Sequence, residues 1–342
     1  MKARPPLAVI LAAGLGTRMR SDRAKVLHEV GGRPLLAWAI DSARAAGAER
    51  IVAVLGHQIE RVRADLTARY GQGNIAIAHQ REPNGTGHAV MTALGELASE
   101  ADDRVVVVTS GDVPLLPADV LAALVRACEG ASSGLSLVSS TMPRQLPYGR
   151  IVRDAEGEVV RIVEHADATA EERAITEFNA GFYAMALGRL RGDIASLTSD
   201  NAQGELYLTD LIEKAARRGR VGVVEAPYEE VAGVNDRVDL AAVEATYQRR
   251  RREALMRAGV TLVSPEQTFV DADVGPVGGD VWIAPGVQLR GVTRIGDGAR
   301  IDAHCVVVDA DIGAGASLGP GCVIQGAAVA PGEVVEALSH RG

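Results

Sequence analysis

Short apolar runs alternate with amphipathic stretches through the first 140 residues of this 342-residue chain. The apolar runs predict β-strands, and the stretches between them have apolar residues three or four apart, as in helices. Near-continuous apolar strands separated by helices are typical of a parallel sheet covered on both faces, so we expect a doubly wound, Rossmann-like α/β domain. The predicted strands are residues 7–11, 51–55, 75–78, 105–109 and 135–140, and the predicted helices are 34–46, 58–68, 86–98 and 117–128.

The middle of the chain continues with mixed signals. Residues 148–185 predict further strands and a short helix after Thr169. Residues 205–218 predict an amphipathic helix that ends before Gly219. Residues 236–258 predict one long charged helix that connects two domains, and its arginine run at 249–252 is more typical of a solvated helix face than of a nucleic-acid-binding surface.

In the last 80 residues the apolar period changes to six. Ordinary alternating strands would have a period of two, so the sixfold spacing predicts a parallel β-helix in which each hexad forms one side of a coil. The count from residue 277 predicts about eight hexads, or two to three coils. We therefore expect a domain over 1–235, a connecting helix over 236–258 and a short β-helix over 259–342. The pattern runs through Ile283, Leu289, Ile295 and Ile301, shifts by one residue, and resumes at Ile312, Leu318 and Ile324.

Charge and composition narrow the choice of partner. The net charge is −8, which argues against nucleic-acid binding, and any anionic substrate would need a local cationic pocket. No apolar run approaches the length of a membrane span. The three cysteines lack metal-ligand spacing, which is typical of a reducing compartment. We expect a cytoplasmic protein without a nucleic-acid or membrane partner.

The first predicted strand leads into a glycine turn with two cations, in the sequence LAAGLGTRMRSDRAKVL. A dinucleotide fingerprint would need a third glycine where Met19 stands, and a Walker A loop would need Gly-Lys-Ser/Thr. A glycine turn lets backbone N–H groups approach a polyphosphate, while Arg18 and Lys25 would supply positive charge. By itself the motif leaves a phosphate site and an ordinary turn with surface cations about equally open.

Polar residues follow two more of the predicted strands. Gln80 is an amide suited to reading the edge of a base, and Gly85-Thr86 opens a helix whose N-terminal amides can bind an anion or a carbonyl. His88, in the first turn of that helix, is more typical of packing or capping than of catalysis. Asp112 follows the strand 105–109 and is placed either to hold Mg²⁺, which prefers hard oxygen ligands, or to cap the turn before Pro114. The metal role is favoured once the phosphate loop is counted.

Together these segments resemble one family. In order they read LAAGLGTRMRSDRAKVL, QREPNGTGHA, SGDVPLL, PYGRIVR, IVEHADAT, NAGFY, NAQGELYLTDLI and VAGVN. Over residues 7–258 they are similar to the uridylyltransferase half of the bifunctional bacterial N-acetylglucosamine-1-phosphate uridylyltransferases/glucosamine-1-phosphate acetyltransferases, and the hexad tail fits that family's left-handed parallel β-helix. The resemblance implies that UTP and N-acetyl-glucosamine 1-phosphate react, with Mg²⁺, to UDP-N-acetylglucosamine and pyrophosphate. It also favours a homo-oligomer, most commonly a trimer.

The resemblance also implies roles for individual residues. Arg18 and Lys25 would act at the phosphates, and Asp112 and Asn235 would bind Mg²⁺. The nucleotide-binding loop would be Leu11, Ala12, Ala13 and Gly14; the uracil contacts would be Gln80, Gly85 and Thr86; and the sugar side would be Gly111, Gly149, Glu164 and Asn179.

Two departures from the family pattern leave alternatives open. Pro83 and Asn84 replace the usual Gln-Leu before Gly-Thr-Gly, and Ser110 replaces a frequent aromatic residue. The alternatives are another sugar-1-phosphate nucleotidyltransferase and a sugar-nucleotide-binding protein without turnover. No stretch matches the family's acetyltransferase residues, and His304 reads as an exposed corner residue of the β-helix, so we expect no acetyltransferase activity.

Overall fold

The computed structural model describes residues 4–342, which divide into two compact units. The first comprises the described residues up to His28 together with Pro34–Asp239, and the second comprises Glu29–Arg33 and Leu240–Gly342. Among the described residues, no helix combines the length and the apolar character needed to cross a bilayer.

A nine-stranded mixed sheet forms the centre of the first unit. Its strand order is β9-β5-β8-β4-β1-β2-β3, with β6 paired to β8 and β7 paired to β6. The five strands and four helices predicted in the first 140 residues are all present, with bounds that differ by one or two residues. The strands are β1 (Leu7–Ala12), β2 (Arg50–Leu55), β3 (Ala76–His79), β4 (Val105–Ser110), β5 (Leu135–Thr141), β6 (Arg150–Arg153), β7 (Val159–Val163), β8 (Glu177–Ala186) and β9 (Gly222–Glu225).

The helices of the first unit cover both faces of this sheet. Alternate residues of β1 pack into different clusters: Leu7 and Val9 into one, Ala8 and Ile10 into the other. This two-sided burial explains why β1 is apolar at every position from Leu7 to Leu11. The helices are α1 (Leu35–Ala45), α2 (Ile59–Tyr70), α3 (Gly85–Glu96), α4 (Ala118–Gly130), α5 (Ala170–Arg173), α6 (Leu187–Ile194), α7 (Asp210–Arg218) and α8 (Tyr228–Val231).

The prediction of a purely parallel sheet was wrong at one position. Strands β1 to β4 pair in parallel, but β8 runs antiparallel between β4 and β5. The strand β8 is apolar enough for a central position, and burial alone does not encode its direction. Directly before it, the short helix predicted after Thr169 is present as α5, where Thr169 and Glu172 form a reciprocal capping box.

The helix predicted over 205–218 begins later, at Asp210. The backbone of Leu206 is engaged elsewhere: its N–H donates to the carbonyl of Asn84, and its carbonyl accepts from the N–H of Gly87. These long-range bonds hold residues 205–208 beside the start of α3. Helical periodicity was therefore overridden by hydrogen bonds between distant segments.

The second unit contains the long charged helix α9 (Arg237–Arg257, whose first residues belong to the first unit), the hairpin strands Glu29–Val30 and Arg33–Pro34, and a parallel β-helix. Three parallel sheets form the sides of the left-handed coil. Their strands are Thr261–Leu262, Phe269–Val270, Trp282–Ile283, Gln288–Arg290, Arg294–Ile295, Arg300–Ile301, Val306–Val308, Asp311–Ile312, Ser317–Leu318, Val323–Gln325, Ala328–Val329, Val334–Val335 and His340–Arg341.

The β-helix is longer than the two to three coils predicted. Two of its sheets contain five strands each, so the chain passes those sides five times. The count was low because some sides are one residue short, as between Val307 and Ile312 and between Ile324 and Val329. The aliphatic residues nevertheless stack in register, with Ile295 over Ile312 and Ile312 over Val329.

The glycines that follow the inward aliphatic residues are explained by the stacking of coils. A Cβ added at Gly296 would lie 2.5 Å from the backbone nitrogen of Ala314, and one at Gly313 would lie 2.4 Å from that of Pro331. Backbone cannot yield to such a contact as a flexible side chain can. Glycine is therefore required where one coil passes directly over the next.

We expect Gly296→Ala to destabilise the β-helix by about 1–3 kcal/mol, because the new methyl group overlaps the backbone of the next coil. The matched control is Gly279→Ala, since a Cβ at Gly279 would meet nothing within 4 Å; its effect should stay within about 0.5 kcal/mol. Urea unfolding monitored by tryptophan fluorescence, with Trp282 in the β-helix, measures both. Equal stability of the two variants would contradict this explanation of the glycine pattern.

Candidate active site

A cavity of about 420 Å³ lies at the carboxyl ends of β1, β3 and β4. Ligands of open α/β sheets bind at this edge, and the three loops that the sequence singled out all reach it. Of the predicted site residues, the cavity is lined by Leu11, Ala12, Ala13, Gly14, Lys25, Gln80, Gly85, Thr86, Asp112 and Asn235.

The glycine turn after β1 packs directly against Lys25. Gly16 has a φ of 62°, in the left-handed region, and a Cβ there would lie 2.6 Å from the Cβ of Lys25. Lys25 itself begins a short 3₁₀ turn, Lys25–Leu27. Gly14, by contrast, has nothing within 4 Å of its missing side chain, so a ligand can approach the backbone closely. The glycines thus place Lys25 beside an accessible stretch of main chain.

Asp112 is the most heavily bonded acidic group in the cavity. Its Oδ2 forms an ion pair with the Nζ of Lys25, and its Oδ1 accepts a hydrogen bond of 2.6 Å from Ser110. Its backbone carbonyl accepts from the N–H of Val234 at 2.9 Å. The side chains of Lys25 and Asp112 are only 14% and 17% exposed, so each charge depends on the other for compensation.

A second cation lies beside the first. The Nη2 of Arg18 donates to the Oδ1 of Asn235 at 3.0 Å. The backbone N–H of Asn235 donates to Asp239 at 3.0 Å, and Arg237 donates to the carbonyl of Met19 at 3.1 Å. The segment 233–239 is therefore tied to the glycine turn, which explains how residues far apart in sequence reach one site.

The oxygen donors at this end of the cavity fit a magnesium ion. Asp112 and Asn235 supply a carboxylate and an amide oxygen, and both oxygens are already held by cationic groups, those of Lys25 and Arg18. Within residues 4–342 there is no cluster of three or more His, Cys, Asp or Glu side chains that could enclose a metal. Two protein ligands are sufficient for Mg²⁺ when phosphates and water complete the coordination.

The other end of the cavity is formed by Gln80 and the start of α3. The Nε2 of Gln80 donates to the carbonyl of Gly85 at 3.2 Å and lies 3.1 Å from the Nδ1 of His88. Thr86 accepts a hydrogen bond from the N–H of Leu208 at 3.1 Å. The helix start is thereby fixed to residues 206–208, and its first N–H groups are directed at the cavity end of α3.

The remaining predicted site residues lie outside the cavity lining. Gly111 donates its N–H to the carbonyl of Leu11 at 2.9 Å, which joins the loops after β1 and β4. Gly149 and Asn179 are joined by a backbone bond of 2.9 Å, and a Cβ on Gly149 would be 3.2 Å from Glu164. Gly149, Glu164 and Asn179 therefore form one polar cluster.

Burial dominates the electrostatics of that cluster. It raises the pKa of Glu164 above its usual range, and the hydrogen bond of 3.0 Å from Thr209 only partly opposes this. The Nδ2 of Asn179 donates to the hydroxyl of Tyr183 at 2.6 Å, and its Oδ1 accepts from the N–H of Gly181. The amide of Asn179 is thus held in one orientation.

Sequence reasoning missed several cavity residues, of which Tyr148 and Glu205 are the most polar. Tyr148 stacks on Phe178 with ring centroids 4.6 Å apart. Burial raises its pKa to about 12, so its hydroxyl stays protonated and can donate. Both residues stand inside motifs that carried the family resemblance, PYGRIVR and NAQGELYLTDLI, but nothing in the residue types alone distinguishes them from core or surface positions.

Comparison with known proteins agrees with this arrangement. Residues 8–207 match the family of MobA-like NTP transferase domains. The bifunctional protein GlmU of Anaeromyxobacter dehalogenans is 43% identical over 340 residues, covering 99% of this chain and 69% of that protein. The GlmU protein of Trichlorobacter lovleyi is 46% identical over 337 residues, covering 97% of this chain and 72% of that protein.

The chain belongs to the GlmU family. Its first unit is a nucleotidyltransferase domain, and the chain is a nucleotidyltransferase. GlmU of Corynebacterium efficiens shows the same level of similarity, 45% identity over 315 residues, covering 91% of this chain and 64% of that protein. The resemblance seen in the sequence motifs is thereby confirmed, as is the fold class of an α/β nucleotidyltransferase domain followed by a β-helix.

The raised pKa of Glu164 predicts a pH-dependent effect of Glu164→Gln. An acid whose folded pKa is raised destabilises the fold when ionised, and this cost disappears as the pH falls through that raised pKa towards its ordinary value of 4.5. The glutamine keeps the acceptor for Thr209 without the charge. We therefore expect Glu164→Gln to be more stable than the parent at pH 8 and equal to it near pH 4.

Glu172 provides the control, because its pKa is lowered, first by the backbone N–H of Thr169. Its stabilising contribution is present at pH 8 and is lost as the pH falls, so Glu172→Gln should be less stable than the parent at pH 8 and converge at low pH. Urea midpoints at the two pH values measure both. A loss of stability in Glu164→Gln at pH 8 would contradict the assignment of burial as the main cause.

Proposed function

We propose that this nucleotidyltransferase is a Mg²⁺-dependent uridylyltransferase that converts UTP and N-acetyl-glucosamine 1-phosphate to UDP-N-acetylglucosamine and pyrophosphate. The observation that carries the proposal is the ion pair of Lys25 with Asp112, in a cavity assembled from the three loops that carry the family's motifs. Membership of the GlmU family supports the choice of substrates.

The residues divide by position along the cavity. Leu11 to Gly14 would bind the nucleotide through the backbone, and Gln80, Gly85 and Thr86 would contact uracil. Arg18 and Lys25 would bind phosphate oxygens, and Asp112 and Asn235 would hold Mg²⁺. Gly111, Gly149, Glu164 and Asn179 would form the sugar side.

The chemistry needs charge neutralisation more than proton transfer. A phosphate oxygen of the sugar phosphate attacks the α-phosphorus of UTP, a new P–O bond forms, and the bond to the bridging oxygen breaks to release pyrophosphate. Because the attacking oxygen is already anionic, no strong base is required. Mg²⁺, when bound, would offset negative charge on the phosphates. Lys25 and Arg18 would turn from Asp112 and Asn235 to the phosphate oxygens.

The polar cluster beside the cavity supports an N-acetylated sugar. Asn179 offers an amide whose orientation is fixed by Tyr183 and Gly181, and Glu164 offers a carboxylate for sugar hydroxyls. Ser110 supports a second candidate, because a small residue replaces the family's frequent aromatic beside the sugar side. That candidate is a nucleotidyltransferase for another sugar 1-phosphate.

The other expectations enter as parts of the same proposal. We propose that the residues of this chain carry uridylyl transfer and not acetyl transfer. His304, the histidine within the hexads, is an exposed corner residue with a φ of 60°, packed over Gly286. We further propose a cytoplasmic homo-oligomer, with a trimer favoured; the free, buried thiols of Cys128, Cys305 and Cys322 are compatible with a reducing compartment.

Pyrophosphate release tests the proposed reaction. UTP with N-acetyl-glucosamine 1-phosphate and Mg²⁺ should give at least about tenfold higher kcat/KM than UTP with glucose 1-phosphate, because the acetamido contacts would be lost. Parallel reactions contain GTP in place of UTP, or EDTA. Release with glucose 1-phosphate alone would favour the second candidate. Nucleotide binding without release for any pair would favour a binding protein.

Lys25→Ala should lower kcat by at least about 100-fold, because the positive charge beside the phosphates is lost. The control is Lys214→Ala, since Lys214 donates to Ser196 and does not line the cavity; its kcat should equal that of the parent. Circular dichroism verifies folding of both variants. An unchanged rate in Lys25→Ala would remove this residue from the mechanism.

A further inference from the structure

The side-chain amide of Gln80 is buried, with the residue only 6% exposed, at the end of β3. Its Nε2 has two neighbours: the carbonyl oxygen of Gly85 at 3.2 Å and the Nδ1 of His88 at 3.1 Å. Gly85 and His88 lie in the first turn of α3, so one helix turn contacts the amide nitrogen twice.

These neighbours decide which way the amide faces. A carbonyl oxygen only accepts hydrogen bonds, so the group facing Gly85 must be the NH₂ of Gln80 and not its oxygen. The same NH₂ then donates its second hydrogen to His88. The Nδ1 of His88 must therefore be the unprotonated, accepting nitrogen, and its proton resides on Nε2.

With both N–H groups used, the oxygen Oε1 is the polar atom that Gln80 leaves for a ligand. It makes no hydrogen bond within residues 4–342, and Gln80 lines the cavity. Beside it, the backbone N–H groups at the start of α3 are donors. This end of the cavity thus presents a fixed acceptor next to donors.

We propose that His88 is a positioning residue that sets base selectivity by holding the amide of Gln80 with its oxygen towards the base; this rests on the proposed function. Uracil presents an N3–H donor between two carbonyl acceptors, which complements an acceptor flanked by donors. Cytosine presents a lone pair at N3, which would oppose the oxygen of Gln80. His88 therefore acts through Gln80 and need not touch the nucleotide.

Removal of His88 leaves the amide with one anchor, Gly85. The amide can then rotate and offer its NH₂ to the base, which suits the N3 lone pair of cytosine. We expect His88→Leu to lower the preference for UTP over CTP by about tenfold, the effect of one misplaced hydrogen bond. His88→Asn should keep the preference within about threefold, because the Oδ1 of asparagine can occupy the position of Nδ1 as an acceptor.

The experiment measures Kd for UTP and for CTP by isothermal titration calorimetry with Mg²⁺. The proteins are the parent, His88→Leu, His88→Asn and, as a matched control, His79→Leu, which changes the exposed histidine directly before Gln80. Binding is measured apart from turnover, so the result does not depend on the proposed reaction. Nitrogen-15 NMR of the parent gives a second readout, the protonation of each ring nitrogen of His88.

The proposal expects a reduced Kd ratio in His88→Leu alone and an unprotonated Nδ1 with a protonated Nε2. It is overturned if UTP and CTP affinities fall equally in His88→Leu, since that is the signature of a merely structural role, or if Nδ1 carries the proton. Equal affinity of the parent for the two nucleotides also overturns it. Selective UTP binding without pyrophosphate release would sustain this inference while contradicting the proposed reaction.

Discussion

The ion pair between Lys25 and Asp112 is the interaction on which the site depends. It joins the loop after β1 to the loop after β4, two strands that lie side by side in parallel. Both side chains are largely removed from water, so loss of either would leave an uncompensated charge. The carboxylate is held in addition by Ser110, which leaves little freedom in where it points. A site for polyanions is thus kept neutral until a ligand arrives.

The sheet provides the rigidity that this pair requires. Parallel strands end at one edge, so loops distant in sequence converge there without any long-range signal of their own. The antiparallel strand β8 brings Asn179 to the same sheet, and the segment before α9 brings Asn235. Bonds such as those from Arg237 to Met19 and from Leu206 to Asn84 then fix these segments against the loops. The nucleotide end and the phosphate end of the cavity are therefore set by one framework.

The sequence predicted those features that have a local cause. Buried strands such as Leu7–Ala12 are apolar throughout, and the helix at Gly85 begins with residues that open a helix, so both were predicted correctly. The direction of β8 and the late start of α7 depend on pairings between distant residues, which local patterns do not record. The same limit applies to the site. Gln80 and Asp112 stand at strand ends, whereas Asn179, Asn235 and the other sugar-side residues were proposed only through the family resemblance, and Tyr148 was missed.

The β-helix illustrates the same division. Its sixfold period was visible because each aliphatic residue stacks on its equivalent in the next coil, yet sides of five residues hid the true number of coils. The central claim, that Lys25 exchanges Asp112 for substrate phosphate, is tested most directly by a crystal structure of the protein with UTP and Mg²⁺. We predict that the Nζ of Lys25 lies within hydrogen-bonding distance of a phosphate oxygen and that uracil lies against Gln80. A nucleotide bound elsewhere, or Lys25 still paired with Asp112 and remote from the phosphates, would contradict the account.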